Sequence, residues 1–170
     1  MPVLKILTLP DPRLKKQSSQ VKKIDDAILR LLDDMAQTMY DAPGVGLAAP
    51  QVGENIRVIV VDVEHNEEGD TNLIELINPE ITQSEGKVSG EEACLSVPGF
   101  TAEVKRKSNI TVEGLNRDGK KIRIEATELL SRVFQHEIDH LDGILFVDRL
   151  RRLKRELMKK KIKKAFSENN

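Results

Sequence analysis

His136-Glu137-Ile138-Asp139-His140 brings together two of the three histidines of this 170-residue chain, and the rest of the sequence is read outward from it. On an α-helix, residues four apart share a face. Both imidazoles can therefore reach one ion, while Glu137 leans toward water bound to that ion. Zinc or iron held by imidazoles lowers the pKa of bound water, and a neighbouring carboxylate can take the proton and pass it to a leaving amine. The stretch thus predicts a metal-binding helix with the layout of a hydrolase. The competing reading is a charged helix with two surface histidines.

A catalytic tetrahedral site needs three protein ligands and one open position. The extended motif that would supply a third histidine downstream fails, because Gly143 stands where that motif has its glycine but Phe146 where it has histidine. Glu156 lies within a lysine- and arginine-rich run and Glu168 in a polar tail, and neither is a convincing ligand. Upstream, the only cysteine, Cys94, sits in the polar, turn-rich segment Glu92-Ala93-Cys94-Leu95-Ser96-Val97-Pro98-Gly99. Its thiolate would complete a Cys-His-His site, whereas a buried free cysteine would simply act as a small hydrophobe.

A third stretch, Gly44-Val45-Gly46-Leu47-Ala48-Ala49-Pro50-Gln51, is glycine-rich but lacks the Gly-Lys-Ser/Thr ending of a phosphate loop. Its glycines would let another backbone approach closely, as a bound extended peptide requires. Gln51 then offers a neutral amide donor. Taken with Gln135-His136-Glu137-Ile138-Asp139-His140 and the cysteine segment, this order of motifs resembles the bacterial-type, iron-dependent peptide deformylases. The resemblance covers most of the chain.

The resemblance implies hydrolysis of the formamide of N-formylmethionyl nascent peptides to formate and a free amine. It implies that Cys94, His136 and His140 hold one Fe(2+), for which zinc, nickel or cobalt can substitute. Glu137 would be general base and then acid, and the Gln51 amide and the Leu95 backbone N–H would meet the oxyanion. Residues Gly44, Val45 and Gly46 would pair with the substrate backbone. One departure is Ala93, where the family usually has glycine; a positive φ there would cost alanine about 1 kcal/mol. Helical geometry adds Leu129 and Val133, which lie on nearly the same face as His136 and should form an apolar wall beside the site; the competing reading is that they are simply core.

Composition sets the frame. A chain of 170 residues with 39% hydrophobic content suits one core, and 3% aromatics without tryptophan makes that core aliphatic. A single cysteine excludes an internal disulfide, and no window approaches the 18 or so apolar residues of a membrane span. A soluble, cytoplasmic protein without membrane association is expected. The net charge of −1 conceals a run from Arg149 to Phe166 with ten Lys and Arg against one Glu. This divides the chain into a catalytic domain, residues 1–148, and a basic C-terminal helix with a short polar tail, residues 149–170. Such a helix can attract an acidic partner, and the nascent substrate points to the ribosome.

In chain order, Pro10-Asp11-Pro12-Arg13 reads as a turn, and a helix from Asp25 or Asp26 to Tyr40 carries Ile28, Leu31, Leu32, Met35 and Met39 inward. Strands are predicted over Arg57–Val63, Leu73–Ile77, Glu80–Ser84, Thr101–Arg106 and Ser108–Leu115. Asp118-Gly119 turns the last into Lys120–Glu125 as a hairpin. The metal helix should run from Thr127 to Leu141, stopped by Gly143. In the final helix Asp148 can cap the start, and Leu150, Leu153, Leu157, Ile162 and Phe166 form a docking stripe. The fold class is α+β: mostly antiparallel strands packed around a central metal-binding helix, with an N-terminal and a C-terminal helix. Two rivals use the same residues, a general zinc peptidase and a ribosome- or nucleic-acid-binding domain with a structural metal. A structural site is closed by four protein ligands, and three donors favour catalysis.

Overall fold

The computed structural model describes residues 2–168. A 3-10 turn, Pro12–Lys15, leads to α1 (Asp26–Asp41), followed by β1 (Gly46–Ala48), a second 3-10 turn (Ala49–Val52), β2 (Val58–Val61) and β3 (Ile74–Glu85). Next come β4 (Val88–Ala93), β5 (Thr101–Arg106), β6 (Asn109–Leu115), β7 (Lys121–Thr127), α2 (Glu128–Leu141), a 3-10 turn at Phe146–Arg149, and α3 (Arg152–Glu168). Five strands form an antiparallel sheet in the order β1-β2-β3-β6-β7, and β4 and β5 form a separate antiparallel pair. The predicted α+β class is the observed one.

Strand β2 explains why an unbroken apolar run was needed. Its side chains alternate across the sheet: Val58 and Val60 meet Leu32, Met35 and Met39 of α1, while Ile59 and Val61 meet Val133, Phe134, Ile138 and Leu141 of α2. Both faces are covered, so both sets are apolar. The sheet therefore lies between the two helices and supports the metal helix from beneath. Asp25 caps α1 by accepting the Ile28 N–H, and Gly143, at φ 74°, follows α2. A side chain at residue 143 would place its Cβ 2.4 Å from the Lys15 carbonyl oxygen, so the glycine is required twice over.

Three expectations need correction. The predicted strands at Leu73–Ile77 and Glu80–Ser84 are one strand, β3, bent at Asn78-Pro79 rather than ended there. Asn78 adopts φ 54°, and its side-chain amide both donates to the Val21 carbonyl and accepts the Val21 N–H. That pairing stabilises the bulge. Strand β4 was not predicted, because Val88-Ser89-Gly90-Glu91, exposed except for the half-buried Gly90, carry little apolar signal.

The third correction concerns α3. Leu150 and Ile162 are buried and Met158 and Phe166 pack on a cluster with Cys94, Val97, Leu145 and Phe146, but Leu153 is 73% and Leu157 52% exposed. At about 3.6 residues per turn Leu153 and Leu157 fall roughly on the side of α3 opposite Ile162, so the docked face is Met158, Ile162 and Phe166. Asp148 does not cap α3; it accepts the Leu145 N–H and pairs with Lys15 at 3.0 Å and Lys159 at 3.1 Å. Residues 169 and 170 of the expected tail lie outside the described residues. Among the described residues no helix is long and apolar enough to cross a membrane.

Candidate metal centre and active site

Helix α2 buries every residue from Val133 to Leu141. His136 and His140, one turn apart, stand with ring centroids 5.0 Å from each other. Glu92 and Cys94 alternate inward at the end of β4, which carries the thiol to the same point. The Cys94 sulfur is 3.3 Å from His140 Nε2, and the ligand atoms of Cys94, His136 and His140 all lie within 4.8 Å of one another. Three donors around one tetrahedral ion at about 2.0–2.3 Å each would be about 3.5 Å apart, so the set is close to that shape.

The charges around these donors fit a cation. Burial opposes protonation of His136, yet the Cys94 sulfur and the Glu92 carboxylate outweigh it and raise its pKa well above the usual imidazole value. Surroundings that attract a proton to this ring also attract a metal ion. Burial pushes His140 well below that value, toward the neutral form a ligand must have. These residues fit a divalent ion with an affinity for sulfur and nitrogen.

His136 is oriented from behind. Its Nδ1 is 2.9 Å from Glu92, leaving Nε2 to face the thiol and the second histidine. Glu92 also accepts from Arg106 at 2.8 and 2.9 Å and from Arg132 at 2.5 Å, and Arg106 continues to Asp139 at 2.6 Å. Arg149 closes the chain with two bonds to Asp139, at 3.0 and 2.6 Å. Burial alone would raise the Glu92 carboxyl, but Arg106 and His136 hold it at about 2. Against an ordinary value of 4.5, that depression favours the folded state at neutral pH. The contribution is fully present above pH 4.5 and is lost as the pH falls toward 2.

Glu137 lies on the other side. It is buried, its Oε1 has no hydrogen-bond partner among the described residues, and burial pushes its pKa up to about 7. A divalent ion held by the neighbouring donors would act in the opposite sense and favour the carboxylate. Its Oε2 lies against Gly46, where a Cβ would sit 2.6 Å from that oxygen and 2.8 Å from Val133. Only glycine lets β1 pass so close to the carboxylate.

These groups open into a cleft of about 370 Å³ lined by the Gly44, Val45, Gly46, Gln51, Cys94, Leu95, Leu129, Val133, His136 and Glu137 of the sequence reading. His140 sits behind it, 1% exposed. Gln51 accepts the Ala48 N–H at 3.0 Å and donates to Ser96 Oγ at 3.1 Å, which leaves its second N–H directed at the Cys94 sulfur, 3.7 Å away. The Leu95 N–H has no backbone acceptor among the described residues. Val133 is buried and Leu129 half exposed at the rim. Ala93 is not among the residues with positive φ and lies in β4 opposite Thr101, so the expected alanine strain is absent.

The supporting residues Glu92, Arg106, Asp139, Arg149 and Ser96 were not assigned roles from the sequence. A signal for one existed: in β5, Ala102, Val104 and Arg106 share a face, and an arginine on an inward apolar face requires buried carboxylates.

A cysteine and two histidines placed to hold a metal ion beside a buried carboxylate, in a cleft edged by strand, fit a metal-dependent hydrolase. The family profile described as Polypeptide deformylase matches residues 3–156. The chain is 55% identical over 163 residues to a peptide deformylase of Thermodesulfovibrio yellowstonii, covering 96% of this chain and 98% of that protein. It is 54% identical over 158 residues to one of Halothermothrix orenii, covering 93% and 100%. The crystal structure of a peptide deformylase from Legionella pneumophila matches with TM-score 0.89 and 44% identity over 99% of this chain and 98% of that one. That of Ehrlichia chaffeensis in complex with actinonin matches with TM-score 0.87 and 40% identity over 97% and 98%. The chain belongs to the polypeptide deformylase family. Its reaction is the family's, removal of the formyl group from nascent proteins.

Replacing Glu92 by Gln should weaken metal binding by roughly 10–100-fold, because the acceptor that fixes the His136 ring loses its charge. Chelator competition measures this, and an unchanged affinity would remove Glu92 from the metal site.

Proposed function

We propose that Cys94, His136 and His140 hold one ferrous ion on which the deformylation depends, with Glu137 as the proton carrier. The observation that carries the reading is the convergence of the three donors beside the unpartnered Glu137 Oε1 at one end of the cleft. The ion supplies Lewis acidity, which makes water a nucleophile near neutral pH. Glu137 takes the proton from the attacking water and returns it to the departing amine of methionine. The Leu95 N–H, and the second Gln51 N–H once it turns from the Cys94 sulfur, would meet the oxygen on which negative charge develops. Substrate backbone lies along Gly44, Val45 and Gly46, at the open edge of the five-stranded sheet. Leu129 and Val133 supply the apolar wall for the methionine side chain. Iron follows from the family resemblance, since the donor set itself also suits zinc.

We further propose that residues 1–148 form the catalytic domain and that residues 149–170 form a basic appendage that meets the ribosome, where formylated nascent chains emerge in the cytoplasm. What supports this is the charge run together with its exposure: Lys160, Lys161 and Lys164 are exposed, while Ile162 holds the helix to the domain.

Glu137→Gln should retain one metal ion per chain, iron in anaerobically prepared protein, and lose about 10²-fold or more in formate release, since an amide orients water but cannot take its proton. Activity within about threefold of the parent would exclude Glu137 as base. Replacing Lys160, Lys161 and Lys164 together by Gln should weaken co-sedimentation with ribosomes at low salt and leave turnover of a short formyl-peptide intact. Unchanged co-sedimentation would remove the docking role.

A further inference from the structure

The third histidine, His65, lies outside the metal centre, yet it touches the cleft edge. It comes from the loop after β2, and its Nε2 is 2.7 Å from the carbonyl oxygen of Gly44. A carbonyl can only accept, so Nε2 carries the proton, which it does in one neutral tautomer and in the imidazolium alike. The Gly44 N–H donates to the Met39 carbonyl at 2.7 Å, and the Asp62 N–H donates to the Val45 carbonyl at 2.9 Å. Three backbone groups of the cleft edge are thus pinned, two of them by residues 62 and 65. Gly44 has no side chain that could anchor it instead.

His65 is itself supported. The Tyr40 ring meets it edge to face, with centroids 5.1 Å apart at 82°. Tyr40 donates its hydroxyl to Asp62 at 2.6 Å, and the fully buried Asp62 also accepts the Glu64 and Asn72 N–H groups at 2.9 Å each. On the opposite side, β1 passes against Glu137 at Gly46 with no room for a Cβ. A displacement of this edge would therefore shift a bound peptide relative to the proton carrier.

We propose that His65 is a positioning residue for substrate: its hydrogen bond to Gly44, braced by Tyr40 and Asp62, holds the cleft edge at the height where the peptide backbone pairs. The inference rests on the reading of residues 44–46 as the substrate-pairing segment. Losing one such bond removes binding that ground state and transition state share, which raises KM and leaves kcat nearly unchanged.

The test uses the metal-loaded, full-length protein with a formyl-methionyl tripeptide for kinetics and the same tripeptide without its formyl group for calorimetric Kd. His65→Ala is expected to raise both KM and the product Kd by about tenfold, with kcat within about twofold and metal content unchanged. His65→Gln, whose amide N–H can reach the same carbonyl, should recover most of the loss. Unchanged KM and Kd in His65→Ala would overturn the inference, as would a fall of kcat in step with metal content or no recovery in His65→Gln. If the parent protein released no formate, the deformylase reading would fail instead, and the product Kd would still decide the role of His65.

Discussion

A buried carboxylate, Glu92, is the joint on which the site depends. It receives the imidazole of His136 and the guanidinium groups of Arg106 and Arg132, so it connects β4, β5 and α2 at one point. Desolvating so many charges is costly, and a buried ion network of this kind is weak support for stability in itself. Its return is orientation. Glu92 settles which nitrogen of His136 faces the metal position, and two residues later the same strand delivers Cys94. Arg106 passes the constraint to Asp139 and so to Arg149 in the turn that precedes α3.

The sheet accounts for the other half of the geometry. Because β2 is covered by α1 on one face and α2 on the other, α2 has little freedom to translate, and its histidines inherit the precision of the core. Strand β1 lies at the edge of that sheet, with no strand on its outer side among the described residues. The same strand is pressed against Glu137 at Gly46 and held by His65 and Asp62 at Gly44 and Val45. The three metal donors, Glu137 and the cleft edge at Gly44–Gly46 are therefore set by one packed unit rather than by separate loops.

Much of this was legible in the sequence where local pattern and tertiary role agree. The helix at residues 26–41, the uniformly apolar β2, the β6–β7 hairpin and the metal helix follow from periodicity and turn chemistry. Cys94 could be tied to the histidines because three short motifs occur in a familiar order. Legibility failed where a local signal was overruled. Asn78-Pro79 reads as a break, but the Asn78 amide binds Val21 and the strand continues. In α3 the leucines at 153 and 157 read as a docking stripe, yet within one helix they fall on the side away from the buried Ile162. Arg106 and His65 went unassigned for a different reason: their partners are distant in the chain, and only Arg106 carries a local sign of them, its place on the inward face of β5.

The central claim is that one thiolate and two imidazoles of this chain bind a single metal ion and leave it open to water. X-ray absorption at the metal edge of the zinc-loaded protein tests it directly. The account predicts one sulfur at about 2.3 Å, two imidazole nitrogens at about 2.0–2.1 Å and one further light atom that exchanges with solvent. A shell without sulfur, or one closed by four protein donors, would contradict it.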